Sequence, residues 1–102
     1  MKVHRINPKI EHHPDTARFE ATLDGAQGRL AYRLDPGVMT ILHTAVDPAL
    51  EGRGVAGALV KAALAHARAN GFKVNPVCSY ASSYMQRDAQ AMAPARLIPD
   101  PG

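Results

Sequence analysis

Cysteine is nearly absent from this chain of 102 residues, which contains only Cys78. An internal disulfide and a cysteine-rich zinc site are therefore excluded. His12 and His13 are also unsuited to bind one metal ion together. They are adjacent, and an extended backbone sends neighbouring side chains to opposite faces. We find no acid or cysteine at ligand spacing beside them and predict no metal site.

Aromatic residues are also scarce, since tryptophan is missing and the chain has three tyrosines and two phenylalanines. So few rings, with no basic residues interleaved among them, do not form a surface on which nucleic-acid bases stack. A pI of about 9.4 leaves only weak, non-specific attraction as a basis for association with DNA. We therefore expect no specific nucleic-acid partner.

Long apolar runs are missing as well. No stretch approaches the roughly 20 apolar residues of a transmembrane helix. Residues 1–8 lack the apolar segment of a signal peptide. We therefore expect a cytoplasmic protein with no membrane partner. The chain length and the hydrophobic content of 46% are those of one globular domain.

Acidic residues do not occur between residues 52 and 87, although the chain contains nine of them. The same stretch carries five positive charges, an asymmetry that favours an anionic ligand there. A solvated basic face is the alternative explanation of such a charge distribution. The basic residues are Arg53, Lys61, Arg68, Lys73 and Arg87.

Three early segments alternate apolar and polar residues and are joined by short turns, which predicts an antiparallel meander. An apolar stripe then predicts a helix, and a strand after it would run parallel to the third strand because a helix crosses between them. The predicted strands are 17–23, 29–34, 38–46 and 72–78, and the predicted helices are 53–70 and 79–89. We therefore expect an α/β (α+β) domain over residues 1–90 and a C-terminal tail at 91–102.

A glycine-rich loop, residues 52–57, runs directly into the long helix and is suited to binding a phosphate. Its spacing matches the G-x-G-x-x-G of dinucleotide-binding folds, but no strand ends at the loop and no acid follows before Asp88. It also has the glycine spacing of a P-loop, but Ala58 and Leu59 occupy the positions of the lysine and the hydroxyl. Both interpretations fail, which leaves the coenzyme A loop [QR]-x-x-G-x-[GA] at residues 51–56.

With these residues the chain resembles the GNAT superfamily of N-acetyltransferases, specifically its small single-domain branch of YjdJ-like proteins. The resemblance extends from about residue 3 to residue 87. The chain departs from the superfamily at Glu51, where glutamine or arginine is usual. It departs again beyond Arg87, where this chain has Asp-Ala-Gln-Ala-Met-Ala-Pro in place of the family's His-Pro-Glu-Tyr segment. The segments that carry the resemblance are 42–46, 50–56, 59–64 and 74–78, followed by Tyr84.

This resemblance implies an enzyme that transfers the acetyl group of acetyl-CoA directly to an amine of a small molecule or a protein. It implies that main-chain groups of Thr44 and Val46 bind the pantetheine arm of acetyl-CoA. A domain this small is also compatible with a homodimer. The residues implied at the pyrophosphate are Gly52, Arg53, Gly54, Val55, Ala56, Gly57 and Ala58.

Three side chains are candidates for the chemistry. Tyr84 matches the family tyrosine that protonates the departing thiolate. His43 lies on the third strand, where the superfamily often has its general base, and imidazole titrates in the useful range. Cys78 ends the fourth strand, where a thiol is either a covalent nucleophile or part of the pocket lining. Because none of them is a convincing base, a non-enzymatic acyl-CoA-binding module is the alternative.

Overall fold

Five strands form one mixed sheet in the computed structural model, which describes residues 8–88. The strand order follows the chain: β1 to β4 are antiparallel neighbours, and β5 pairs in parallel with β4. A short 3₁₀ helix and α1 connect β4 with β5, and α2 follows. The strands are β1 Lys9–His13, β2 Arg18–Leu23, β3 Ala26–Asp35, β4 Val38–Val46 and β5 Lys73–Pro76, and the helices are the 3₁₀ helix Pro48–Leu50, α1 Val55–Asn70 and α2 Ser79–Asp88.

The predicted fold class is confirmed, with a meander, a crossover helix, a parallel strand and a short helix. β4 ends at Val46, immediately before Asp47-Pro48, because proline cannot donate to a strand ladder. The predicted end of the second helix at residue 89, the domain boundary at residue 90 and the tail at 91–102 lie outside the described residues.

The meander contains one strand more than the sequence pattern predicts, namely β1. The inward positions of β1 are Ile10 and His12, so the apolar alternation that signals a strand is weak. His12 takes the place of an apolar residue by stacking on Phe19, with ring centroids 4.1 Å apart. A hydrogen bond of 2.6 Å also joins its Nε2 to the hydroxyl of Tyr32. Burial lowers the pKa of His12, so the ring is uncharged at neutral pH.

Helix α1 covers one face of the sheet and forms a single core with it. Its apolar stripe is buried at the helical spacing expected from the sequence. Alternate residues of β2 and β3 point toward this stripe, as the period of a half-buried strand requires. Within residues 8–88 no helix is long and apolar enough to cross a bilayer. The buried side chains of α1 are Val55, Leu59, Val60, Ala63, Leu64 and Ala67.

At Gly28, the strands β3 and β4 and the start of α1 come close together. Gly28 pairs with Val46. A Cβ at Gly28 would lie 2.7 Å from Cγ1 of Val46 and 3.3 Å from Cγ1 of Val55. Because a valine side chain is stiff, these contacts cannot be relieved without moving the backbone. Gly28 therefore lets the end of β4 approach the first turn of α1.

Gly28→Ala is expected to lower the free energy of unfolding by about 1–3 kcal/mol, because the added methyl group overpacks this contact. Gly57→Ala is the matched control, since a Cβ there meets the tyrosines of α2 at an ordinary 3.4 Å. Alanine also has a higher helix propensity, so this variant should equal the parent or gain up to about 1 kcal/mol. Denaturant unfolding measures both variants, and equal stabilities would contradict the packing argument.

Candidate functional site

Strands β4 and β5 separate halfway along β4. Their parallel ladder ends at the pair Ile41 and Pro76, and the proline has no N–H with which to continue it. The amides of Val77 and Cys78 then both donate to the carbonyl oxygen of Ile41, at 3.1 and 3.0 Å. The remainder of β4, residues 42–46, has no β5 residue beside it. The Thr44 backbone hydrogen-bonds the Cys78 thiol there, but among residues 8–88 no strand pairs with 42–46 on this side, so its other main-chain groups are accessible to a ligand.

A bulge in β4 accompanies the separation. Ala31 of β3 pairs with His43, whereas the next residue, Tyr32, pairs with Ile41, so Leu42 is the extra residue. Bulges of this kind bend a strand and increase its twist. The bulge thus directs the free end of β4 away from β5.

The separation opens a cleft of about 620 Å³ between the free end of β4, the glycine loop and the first turns of both helices. Most of the predicted cofactor residues line it, and the structure brings them together from three elements. The predicted lining residues are Thr44, Val46, Gly52, Gly54, Val55 and Ala56, and those not predicted are Ala45, Leu50, Glu51 and Tyr80.

The glycine loop ends in a helix start that no side chain caps. Gly52 and Gly54 have φ values of +79° and +81°, a conformation that non-glycine residues rarely adopt. Gly54 is the N-cap residue of α1 and, having no side chain, cannot cap the helix. The first turn that follows contains no acidic residue. The amides of a first helical turn have no intrahelical acceptor, and together with the helix dipole they favour an anion.

Three predicted cofactor residues do not line the cleft in this structure. Arg53 instead forms an ion pair with Asp24 in the β2–β3 turn, with its Nη2 3.0 Å from a carboxylate oxygen. Gly57 faces α2, because a Cβ there would lie 3.4 Å from the hydroxyl oxygen of Tyr80. Ala58 is half-buried one turn into the helix, where its amide bonds the carbonyl of Gly54 at 3.0 Å.

Helix α2 presents Tyr80, not Tyr84, to the cleft. Tyr80 lies in its first turn and is 38% exposed. Tyr84 is one turn further along and half-buried, with its ring edge against Gly57 and its ring centroid 6.4 Å from that of Tyr80. Tyr80 was not among the residues predicted from the sequence, although its position at the start of a helix that follows a strand was a usable signal.

Cys78, two residues after the end of β5, contacts β4 at Thr44, which lines the cleft. Its thiol donates to the hydroxyl oxygen of Thr44 at 3.7 Å. Its carbonyl accepts the first helical bond of α2, from the amide of Ser82 at 3.0 Å, so Cys78 occupies the N-cap position of that helix. Burial raises the pKa of the Cys78 thiol, but the thiolate form can accept hydrogen bonds from the amides of Ala81, Tyr80 and Thr44 and from the Thr44 hydroxyl. Together these leave the pKa below its ordinary value.

His43 lies on the face of β4 that is turned away from the cleft. It pairs with Ala31, whereas the next residue, Thr44, pairs with the buried Leu30, so the two side chains point to opposite faces. His43 is exposed there. Nothing in this placement supports a role as general base, and that assignment stays a prediction.

Comparison with known proteins agrees with this geometry. The sequence model of the family described as GCN5-related N-acetyl-transferase matches residues 18–93. The solution structure of a GCN5-like protein from Staphylococcus aureus, itself only a candidate N-acetyltransferase, has a TM-score of 0.65 and is 30% identical over 80% of this chain and 81% of that chain. No curated protein matches the chain significantly. Because the family match covers most of the sequence and the related structure shares its fold, the chain belongs to the GCN5-related N-acetyltransferase family.

Proposed function

We propose that this chain binds acetyl-CoA in the cleft and transfers the acetyl group directly to an amine. One observation carries the proposal: the edge of β4 over residues 42–46, which β5 does not pair with, lies beside the uncapped start of α1. The pantetheine arm contains amides that bind like an additional strand, and the pyrophosphate is an anion suited to a helix N-terminus. The two features thus match the two halves of coenzyme A.

The transfer forms one bond and breaks one. The neutral amine nitrogen attacks the thioester carbonyl carbon, the carbon–sulfur bond breaks, and the sulfur leaves with the electron pair as a thiolate. The nitrogen gives up a proton and the thiolate accepts one. Holding the amine against the thioester supplies much of the acceleration. Tyr80 is the tyrosine that lines the cleft, and this position favours it over Tyr84 as the donor to the thiolate.

A non-enzymatic acyl-CoA-binding module is the second candidate. It is favoured by the cleft lining within residues 8–88, which contains no imidazole and a single carboxylate, that of Glu51. If the protein is an enzyme, its amine acceptor must instead arrive unprotonated or release its proton to water. Release of free thiol from acetyl-CoA in the presence of a panel of amines distinguishes the enzyme from the binder.

Gly54→Ala is expected to weaken acetyl-CoA binding by about 10- to 100-fold, the effect of losing one or two hydrogen bonds to a charged group. Gly37→Ala is the matched control, because Gly37 has a φ of +76° in the β3–β4 turn, away from the cleft. Both variants should lose stability, because alanine is strained at a positive φ. Only Gly54→Ala should lose affinity for acetyl-CoA. Calorimetric titration measures this, and a parent protein that does not bind millimolar acetyl-CoA would refute the proposed function.

Tyr80→Phe is expected to lower kcat by about 10²-fold, the effect of removing a general acid, with little change in acetyl-CoA affinity. Tyr84→Phe removes the hydroxyl of the tyrosine one helical turn further along α2 and should have a smaller effect. Thiol-release kinetics on both variants decide between the two tyrosines. A larger loss with Tyr84→Phe would restore Tyr84 as the proton donor.

Glu51→Gln is expected to strengthen acetyl-CoA binding about two- to fivefold at low ionic strength, because it removes an exposed carboxylate from the rim of an anion site. The gain should shrink as salt is added, since exposed charges are screened. Titrations at two salt concentrations test this. Weaker binding by the variant would instead mean that Glu51 contacts the ligand or holds the loop.

A further inference from the structure

Two carboxylates and one imidazole converge on the β1–β2 edge of the sheet, at the opposite edge from the cleft. Glu11 and Glu20 are direct cross-strand partners. His13 lies two residues after Glu11 and therefore projects from the same face. His12 projects from the other face and packs on Phe19 in the core.

One nitrogen of this group has no hydrogen-bond partner. The Nε2 atom of His13 is shielded from solvent, yet it lies 3.6 Å from Oε1 of Glu11 and 3.5 Å from Oε1 of Glu20. Both distances exceed the roughly 3.2 Å limit of a good N–H···O hydrogen bond. The second oxygens of the carboxylates are nearest to other cations, at 3.5 Å from Lys9 and 3.9 Å from Arg18. The two Oε1 atoms thus remain directed at the imidazole.

The spacing of these atoms suits a metal ion. Bonds from Zn²⁺ to imidazole nitrogen and carboxylate oxygen are about 2.1 Å, so tetrahedral ligand atoms lie about 3.4 Å apart. The two nitrogen–oxygen distances are 3.5 and 3.6 Å, and all three ligand atoms fall within 4.8 Å of one another. We propose that Glu11, His13 and Glu20 form a binding site for a divalent transition-metal ion such as Zn²⁺, with water completing its coordination.

The ligand types select among metals. Imidazole is a ligand for zinc, copper, nickel and iron, whereas Mg²⁺ and Ca²⁺ prefer oxygen ligands alone. Two like charges placed directly opposite each other also weaken a strand pair, and a bound cation removes that repulsion. The ion would therefore fasten β1, the edge strand, to β2. The metal site shares no residue with the acetyl-CoA cleft, so each proposal can be tested independently of the other.

No metal site was predicted from the sequence, because no acid was expected at ligand spacing beside the histidines. In the structure, Glu11 and Glu20 both lie beside His13. The expectation that His12 and His13 point apart is correct. It overlooked Glu11, two residues before His13, which lies on the same face. Glu20 could not be placed from the sequence, because that residue reaches the site only through the register of β1 with β2.

Calorimetric titration of the untagged full-length chain with ZnCl₂ tests the proposal. One site is expected, with no comparable heat from MgCl₂. His13→Gln and Glu20→Gln should each weaken Zn²⁺ binding at least tenfold, since even partners outside the ligand shell are worth about 10- to 100-fold. Asp15→Asn, which removes an exposed acid in the adjoining turn, and His43→Gln, which removes an exposed histidine of β4, should bind Zn²⁺ like the parent.

Circular dichroism without metal establishes that each variant folds, and Glu11→Gln replaces any variant that does not. Backbone amide signals of residues 10–21 should shift with Zn²⁺ while those of residues 50–57 do not. The proposal would be overturned if the parent did not bind Zn²⁺, or if His13→Gln and Glu20→Gln bound Zn²⁺ as tightly as the parent. In that case the three side chains form only a surface ion-pair network.

Discussion

The functional geometry of this protein depends on the interruption of one hydrogen-bond ladder. At Ile41 the carbonyl oxygen of β4 accepts two consecutive amides of the turn after β5, and the regular parallel pairing stops. Pro76 cannot donate the next ladder bond, and the bulge at Leu42 turns β4 away. A continuous ladder would satisfy the main chain of residues 42–46 and leave no cleft. The proposed binding surface exists because β5 does not pair with this part of β4.

Close packing on the other side of β4 holds the open cleft in shape. Gly28 allows Val46 and Val55 to meet, which fixes the end of β4 against the first turn of α1. Asp47 binds the backbone of Gln27 through both its amide and its carboxylate, at 2.9 Å in each case. These contacts carry no chemistry of their own. They determine the distance between the strand edge and the helix N-terminus, which a ligand occupying both must match.

Local patterns predicted the elements well and the details of the site only partly. The glycines at residues 52 and 54 and the absence of acids from residue 52 to residue 87 could be predicted to matter, because each acts through its own backbone or charge. β1 escaped prediction because His12 fills a core position through aromatic stacking. Tyr84 was favoured over Tyr80 by its position in the family pattern. Only the folded position of α2 shows that the ring of Tyr80 lines the cleft.

The sequence by itself determined the fold class and the loop suited to an anion. Strand alternation, the helical stripe, the turns and the glycine conformations are all properties of residues near one another in the chain. Only the tertiary structure decided that His43 points away from the cleft, that Cys78 meets Thr44 and that Glu20 stands opposite Glu11. These relations depend on strand register and on the bulge, and a shift of one residue would reverse the face of every side chain.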